Sequence, residues 1–174
     1  FNKNDKVFDE INNLIVEIEW VVDDAPTDNY SYYYDQIVAV GELLSTKIMS
    51  AFLYKNKIIN HWTDIRDIIR TDDTYRNAKI NWNDTMRLAC KNLKSGIVVT
   101  QGFIGSTSEN NTTTLGREGS DFTAAILAYC LSAKKVIIWK DVPGLMNADP
   151  AIFDQTQLFT HISYDEAIEL AFFG

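Results

Sequence analysis

An α/β fold is the class this sequence predicts, and three observations carry the prediction. Ile97-Val98-Val99-Thr100 is a β-branched run approached through Ser95-Gly96. A loop rich in Gly, Ser, Thr and Asn follows from Gly102 to Gly119, and a helix of small residues runs from Asp121 to Ser132. Strand, glycine-rich loop and helix in that order build an anion-binding unit. A second apolar run, Val136-Ile137-Ile138-Trp139, reads as another strand. Strands alternating with helices imply a mostly parallel sheet covered on both faces, here with an N-terminal helical layer.

Taken in order, the first element is an amphipathic helix over residues 5 to 23, capped by Asn4, in which Val7, Ile11, Leu14, Ile15, Ile18 and Val22 recur at helical spacing. It ends at the Asp23-Asp24-Ala25-Pro26 break. Tyr30, Tyr32, Tyr33 and Tyr34 form a packing strip ahead of a second helix, Asp35 to Tyr54, which is apolar around most of its circumference and so buried on several sides. Ile58-Ile59 and the segment around Ile65 read as short strands or turns, Thr71-Asp72-Asp73-Thr74 as a polar loop, 83 to 94 as a helix and Ile97 to Thr100 as a buried strand. Beyond Trp139 come turns at Pro143-Gly144 and Asp149-Pro150, then a last helix from Ser163, where Ser163-x-x-Glu166 has the spacing of a capping box. One domain is expected over 1–174, with a helical part at 1–56 and an α/β part at 57–174.

The 174 residues carry 16 Lys and Arg against 24 Asp and Glu, a formal charge of -8 with no basic patch, which argues against nucleic acid and an anionic membrane as partners. No basic leader with an apolar segment opens the chain, and no run reads as long and apolar enough to span a membrane, so a cytoplasmic protein is expected. Cys90 and Cys130 share no metal-ligand spacing and lie in apolar helical patterns, so both are expected to be buried and reduced. His61 and His161 lack the partners of a metal or triad site, and no metal ligands are assigned.

Thr112-Thr113-Thr114-Leu115-Gly116-Arg117-Glu118-Gly119-Ser120-Asp121 is the segment richest in chemistry. Its glycines let the backbone approach a ligand, Ser120 sits where a helix begins, and Arg117 offers a planar fork to a carboxylate or phosphate. Gly-Ser-Asp is also an ordinary way to begin a helix, and both readings stand at this point. Glu42, inside Ile37-Val38-Ala39-Val40-Gly41-Glu42-Leu43-Leu44, either faces solvent beside Ser45 or turns toward a cavity, where a cationic group would satisfy it. Trp139-Lys140-Asp141 is either a plain turn at a strand end or a ligand edge, since open α/β sheets bind ligands at such ends.

Several motifs together resemble aspartokinase: Gly41-Glu42-Leu43-Leu44-Ser45-Thr46, Ile69-Arg70-Thr71-Asp72-Asp73, Gly102-Phe103-Ile104-Gly105, Thr113-Thr114-Leu115-Gly116-Arg117-x-Gly119-Ser120-Asp121, Ile138-Trp139-x-Asp141-Val142-Pro143-Gly144, Ala148-Asp149-Pro150 and Tyr164-Asp165-Glu166-Ala167-x-Glu169-Leu170. The resemblance implies a three-layer α/β/α amino acid kinase (carbamate kinase-like) fold. It implies transfer of the ATP γ-phosphoryl group to the β-carboxylate of L-aspartate, the first step toward lysine, threonine and methionine. By the same resemblance Arg117 and Asp121 are the catalytic residues, Arg117 gripping the substrate α-carboxylate while Glu42 and Asp121 face its ammonium group. Gly116, Gly119 and Ser120 supply donors around it; Lys140, Asp141, Gly144, Met146 and Asp149 line the nucleotide, whose phosphates Mg2+ bridges.

The resemblance further implies an incomplete catalytic domain, because the family's Lys-Phe-Gly-Gly-Thr-Ser phosphate loop and the stretch after Gly174 with a nucleotide lysine have no counterpart, nor do the ACT domains. The parent would be a homodimer, in some members fused to homoserine dehydrogenase. Ala151 and Met146 depart from the family's usual Arg and Tyr and thin the nucleotide contacts. Two other readings stand beside this one: a kinase of the same family acting on glutamate, acetylglutamate or UMP, and a catalytically dead ligand-sensing or dimerisation module.

Overall fold

The computed structural model describes residues 5–23, 29–93, 95–140 and 143–173, with side chains to 170. Two compact units divide the chain, Phe1–Val136 and Ile137–Gly174.

In the first unit, α1 (Lys6–Asp23) packs on α2 (Tyr30–Lys55). The α2 helix starts five residues before the expected Asp35, because the Asn29 side chain caps it by accepting from the Tyr32 N–H at 3.1 Å. The tyrosines therefore form its first turns rather than a strip outside it, and Tyr32 meets Tyr33 and Tyr75 edge-on at 5.3 and 5.4 Å. By length and composition α2 is also apolar enough to cross a membrane, contrary to the sequence reading. Contrary to the expected burial on several sides, Ile37, Val38, Ile48, Met49 and Phe52 are exposed; Asp35, Ala39, Val40 and Leu43 are buried, and the helix packs on α1 and on strands.

A parallel pair forms between β1 (Asn60–Trp62) and β2 (Ile97–Val99), with His61 opposite Val98. The connection between them holds a short 3-10 turn at Ile65–Asp67 and the helix α3 (Trp82–Asn92), begun by the Asn81 side chain accepting from the Asp84 N–H. Contrary to expectation β2 is only half-buried, with Ile97 exposed.

The expected irregular loop from Gly102 to Gly119 contains an antiparallel hairpin, β3 (Ile104–Ser106) with β4 (Thr112–Thr114), all six residues buried. Three consecutive β-branched threonines favour extended backbone, and Arg70 ties the turn by donating to Ser106 Oγ, Thr107 O and Asn110 Oδ1 at 2.7–2.9 Å. The helix α4 (Gly119–Cys130) follows, two residues earlier at each end than expected. Leu43, Ile65, Ile68, Ile69, Ile104 and Ile126 are fully buried and join these elements into one core, each contributing roughly 1.5–3 kcal/mol of burial.

Cys130 is buried and Cys90 exposed, so only one of the two expected buried thiols is. Both are free; the Cys90 Sγ–H donates to the Cys130 carbonyl at 3.5 Å, and burial pushes the Cys130 thiol pKa up.

Where the first unit ends and the second begins, no strand forms over 136–139 among the described residues, although the segment is apolar. A strand exists only where a neighbour completes its ladder, and Trp139 here is 88% exposed. Met146 bridges antiparallel to Leu158, and Asn147 N–H donates to Gln157 O at 3.0 Å. The last helix, α5 (Tyr164–Phe173), opens with the expected capping box: Glu166 N–H donates to Ser163 Oγ at 3.3 Å and Ser163 N–H to Glu166 Oε2 at 3.0 Å.

Candidate functional site

Glu42 sits in the middle of α2, half-buried, and its carboxylate has no hydrogen-bond or ion-pair partner among the described residues. Burial alone pushes its pKa above the ordinary 4.5. Gly41 beside it has open space where a Cβ would stand, so no packing reason explains a glycine there.

Arg117 lies in the glycine-rich loop that precedes α4. It is exposed and makes no hydrogen bond or ion pair with any described residue. Its backbone neighbours Gly116 (φ +80) and Glu118 (φ +54) are both left-handed. A side chain at Gly116 would meet Asn77 Oδ1 at 2.8 Å, so the glycine lets the loop lie directly on the Arg76–Asn77 backbone turn. Gly119 likewise abuts Phe103, and Gly102 abuts Ser120, each within 2.8 Å of a Cβ position. Left-handed non-glycine residues gather here too, at Arg76, Phe103 and Glu118, strain of the kind that concentrates around ligand sites.

Ser120 and Asp121 lie in the first turn of α4 rather than ahead of it, and the N-cap is Glu118, without a side-chain capping bond. The Gly119 N–H donates to Gly116 O at 3.2 Å, which ties the start of α4 to the loop that carries Arg117. Phe103 N–H donates to Thr123 Oγ1 at 3.0 Å and fixes the Gly102-Phe103 turn on that helix.

Three polar residues that the sequence reading passed over tie these parts together. Gln101, 1% exposed, accepts from Ile65 N–H at 2.8 Å and donates through Nε2 to Thr46 Oγ1 at 2.7 Å. Thr46, one turn beyond Glu42, also receives the Trp62 indole N–H at 3.1 Å and donates back to the Glu42 carbonyl at 2.9 Å. The segment that packs on Ser120 is therefore hydrogen-bonded to the turn of α2 that carries Glu42. Asp35, fully buried, binds α2 to β4. The signal available in sequence was the one used for Glu42, a charge set in an apolar helix.

The nucleotide candidates occupy the second unit. Lys140 and Gly144 line a cavity of about 530 Å³ with Ile138, Trp139, Pro143 and Leu145. Gly144 is left-handed at φ +144 and faces Leu158. Met146 and Asp149 do not line that cavity: Met146 takes part in the bridge to Leu158, and the Asp149 carboxylate accepts from Ala151 N–H at 2.8 Å. Asp141 lies outside the described residues. No three His, Cys, Asp or Glu side chains among the described residues gather as a metal cluster.

Glu42 on α2 and Arg117 in the glycine-rich loop before α4 thus carry charges of opposite sign without a partner among the described residues, on an α/β scaffold. The chain belongs to the Amino acid kinase family, which it matches over residues 4–174. It is 38% identical over 170 residues to the lysine-sensitive aspartokinase 3 of Escherichia coli, covering 95% of this chain and 38% of that protein. It is 35% identical over 144 residues to a chloroplastic bifunctional aspartokinase/homoserine dehydrogenase 2 of Arabidopsis thaliana, covering 80% of this chain and 16% of that one. The crystal structure of E. coli aspartokinase III in complex with aspartate and ADP superposes with a TM-score of 0.89 at 37% identity, over 97% of this chain and 38% of that one. The amino acid kinase fold expected from the sequence is thereby present, and the chain spans well under half the length of these relatives.

Proposed function

We propose that this chain is part of the catalytic domain of a longer aspartokinase that transfers the ATP γ-phosphoryl group to the β-carboxylate of L-aspartate. The observation that carries the reading is the pair of unpartnered opposite charges, Glu42 and Arg117, in a chain whose relatives include an aspartokinase crystallised with aspartate and ADP. An α-amino acid presents an ammonium and a carboxylate, the two groups those side chains lack.

Arg117 holds the α-carboxylate through its planar fork, Glu42 and Asp121 receive the ammonium, and Gly116, Gly119 and Ser120 lie where the backbone approaches the ligand closely. The β-carboxylate is already an anion, so it needs no general base: one of its oxygens forms the new bond to the γ-phosphorus as the bond to the ADP oxygen breaks. Such a reaction asks for alignment and charge neutralisation rather than proton transfer. Lys140 and Gly144 border the proposed nucleotide site, with Asp141, Met146 and Asp149 assigned to it by family position. Mg2+, bound with the nucleotide, would neutralise the charge of its phosphates. The parent is read as a cytoplasmic homodimer, with 1–56 its helical part and 57–174 its α/β part.

The test is nucleotide-dependent phosphorylation by the full-length protein with L-aspartate, L-glutamate, acetylglutamate and UMP offered in turn. Turnover of aspartate, lost in Arg117→Ala, supports the reading. Turnover of another acceptor moves the protein within the family, and no turnover by a folded dimer makes it a sensing module.

A further inference from the structure

We propose that Asp35 is a positioning residue that sets the spacing between Glu42 and Arg117, and so the fit of the amino-acid substrate; this rests on the reading above. Its carboxylate is completely buried and accepts three hydrogen bonds of 2.8 Å, from Arg76 N–H, Thr114 N–H and Thr114 Oγ1. Every one of those donors belongs to the support of the Arg117 loop. Thr114 ends β4, three residues before Arg117. Arg76 begins the turn on which Gly116 lies, and that turn is itself joined to β4, Ala78 N–H donating to Thr114 O at 2.9 Å.

On the helix side, Asp35 and Glu42 are seven residues apart, about two turns, and so share one stripe of α2. Ala39 between them is buried, and Thr46 continues the stripe to its bonds with Gln101 and Trp62. The stretch bearing Glu42 is thus pinned at both ends while Glu42 itself is left open. Gln36 extends the upstream clamp: its amide donates to Thr112 O at 2.8 Å and accepts from Thr112 N–H at 3.1 Å, as a neighbouring strand would. Side chains of α2 occupy the outer edge of β4, which binds the helix to the strand residue by residue. Tethering α2 elsewhere would secure the fold equally well; this placement specifically relates the two charged groups.

The experiment compares the full-length wild type with Asp35→Asn and Thr114→Val, measuring KM for aspartate, KM for ATP and kcat. Asp35→Asn keeps the shape but removes the negative charge on which the three donors converge, and a fall of roughly ten-fold in kcat/KM for aspartate is expected, with KM for ATP within about two-fold. Thr114→Val removes one of the three bonds and should shift the aspartate KM in the same direction by less, which keeps the test open if Asp35→Asn does not fold. Equal loss toward both substrates, or an unchanged aspartate KM in a folded variant, overturns the proposal. Should the wild type instead use another amino acid whose KM Asp35→Asn raises, the clamp stands and the aspartate reading falls.

Discussion

Within the first unit, buried polar groups are met by partners far along the chain: Asp35 by Arg76 and Thr114, Gln101 by Ile65 and Thr46, Thr71 by Thr113. In the second unit polar contacts join residues close in sequence, Asp149 to Ala151, Asn147 to Gln157 and Ser163 to Glu166, and its apolar segment 137–139 stays exposed and unladdered. The difference teaches where to look for function. Against a background in which the first unit answers its buried polar atoms, the half-buried, unpartnered Glu42 stands out, whereas the exposed Arg117 is singled out by the glycine-rich loop that carries it.

The largest effect separating these roles should come from the two open charges. Arg117→Ala and Glu42→Gln are each expected to lower kcat/KM for aspartate by about 100-fold or more, the scale of a lost charge-assisted contact, while thermal unfolding stays near wild type because neither side chain supports the fold. A matching loss of stability would erase the distinction.

Leu43→Ala, one residue from Glu42 but completely buried, should do the reverse. A loss of about 2–5 kcal/mol in urea unfolding is expected, with aspartate KM little changed in the fraction that remains folded.

The glycines sharpen the same contrast at smaller scale. Gly116→Ala forces a left-handed residue against Asn77 and should cost about 1–2 kcal/mol. Gly41→Ala meets nothing and should stabilise α2 by up to about 1 kcal/mol, yet raise the aspartate KM if that open space admits the substrate.

The smallest effect is that of pH. The raised Glu42 pKa means the folded chain holds this proton more tightly than the unfolded one, so its stability contribution is full below the ordinary 4.5 and lost as pH rises through the raised value. Ammonium binding needs the ionised form, so aspartate KM should climb as pH falls through that same value. A KM profile compared between wild type and Glu42→Gln isolates this group.

Much of the first unit was legible from local pattern: α1, α3 and β2 form where expected, while Asn4, expected to cap α1, and the expected break at 24–26 lie outside the described residues. The β3–β4 hairpin was not, because a run of threonines beside glycines looks the same as a loop until Arg70 closes its turn from far along the chain. The strand expected at 136–139 failed for the opposite reason, since β propensity is local and pairing is not. Glu42 drew attention as a charge in an apolar helix and Arg117 as a planar fork in a glycine-rich loop. Asp35 obeys the rule that applies to Glu42 and the neutral Gln101 does not; the partners of both lie 36 to 79 residues away, out of reach of a local pattern.

Calorimetric titration of the full-length protein with L-aspartate and with succinate, which lacks the ammonium group, tests the central claim most directly. The wild type should bind aspartate far more tightly than succinate, Glu42→Gln should lose most of that preference, and Arg117→Ala should weaken both ligands. Equal preference in wild type and Glu42→Gln, or undiminished binding in Arg117→Ala, would contradict the assignment of these two open charges to the substrate.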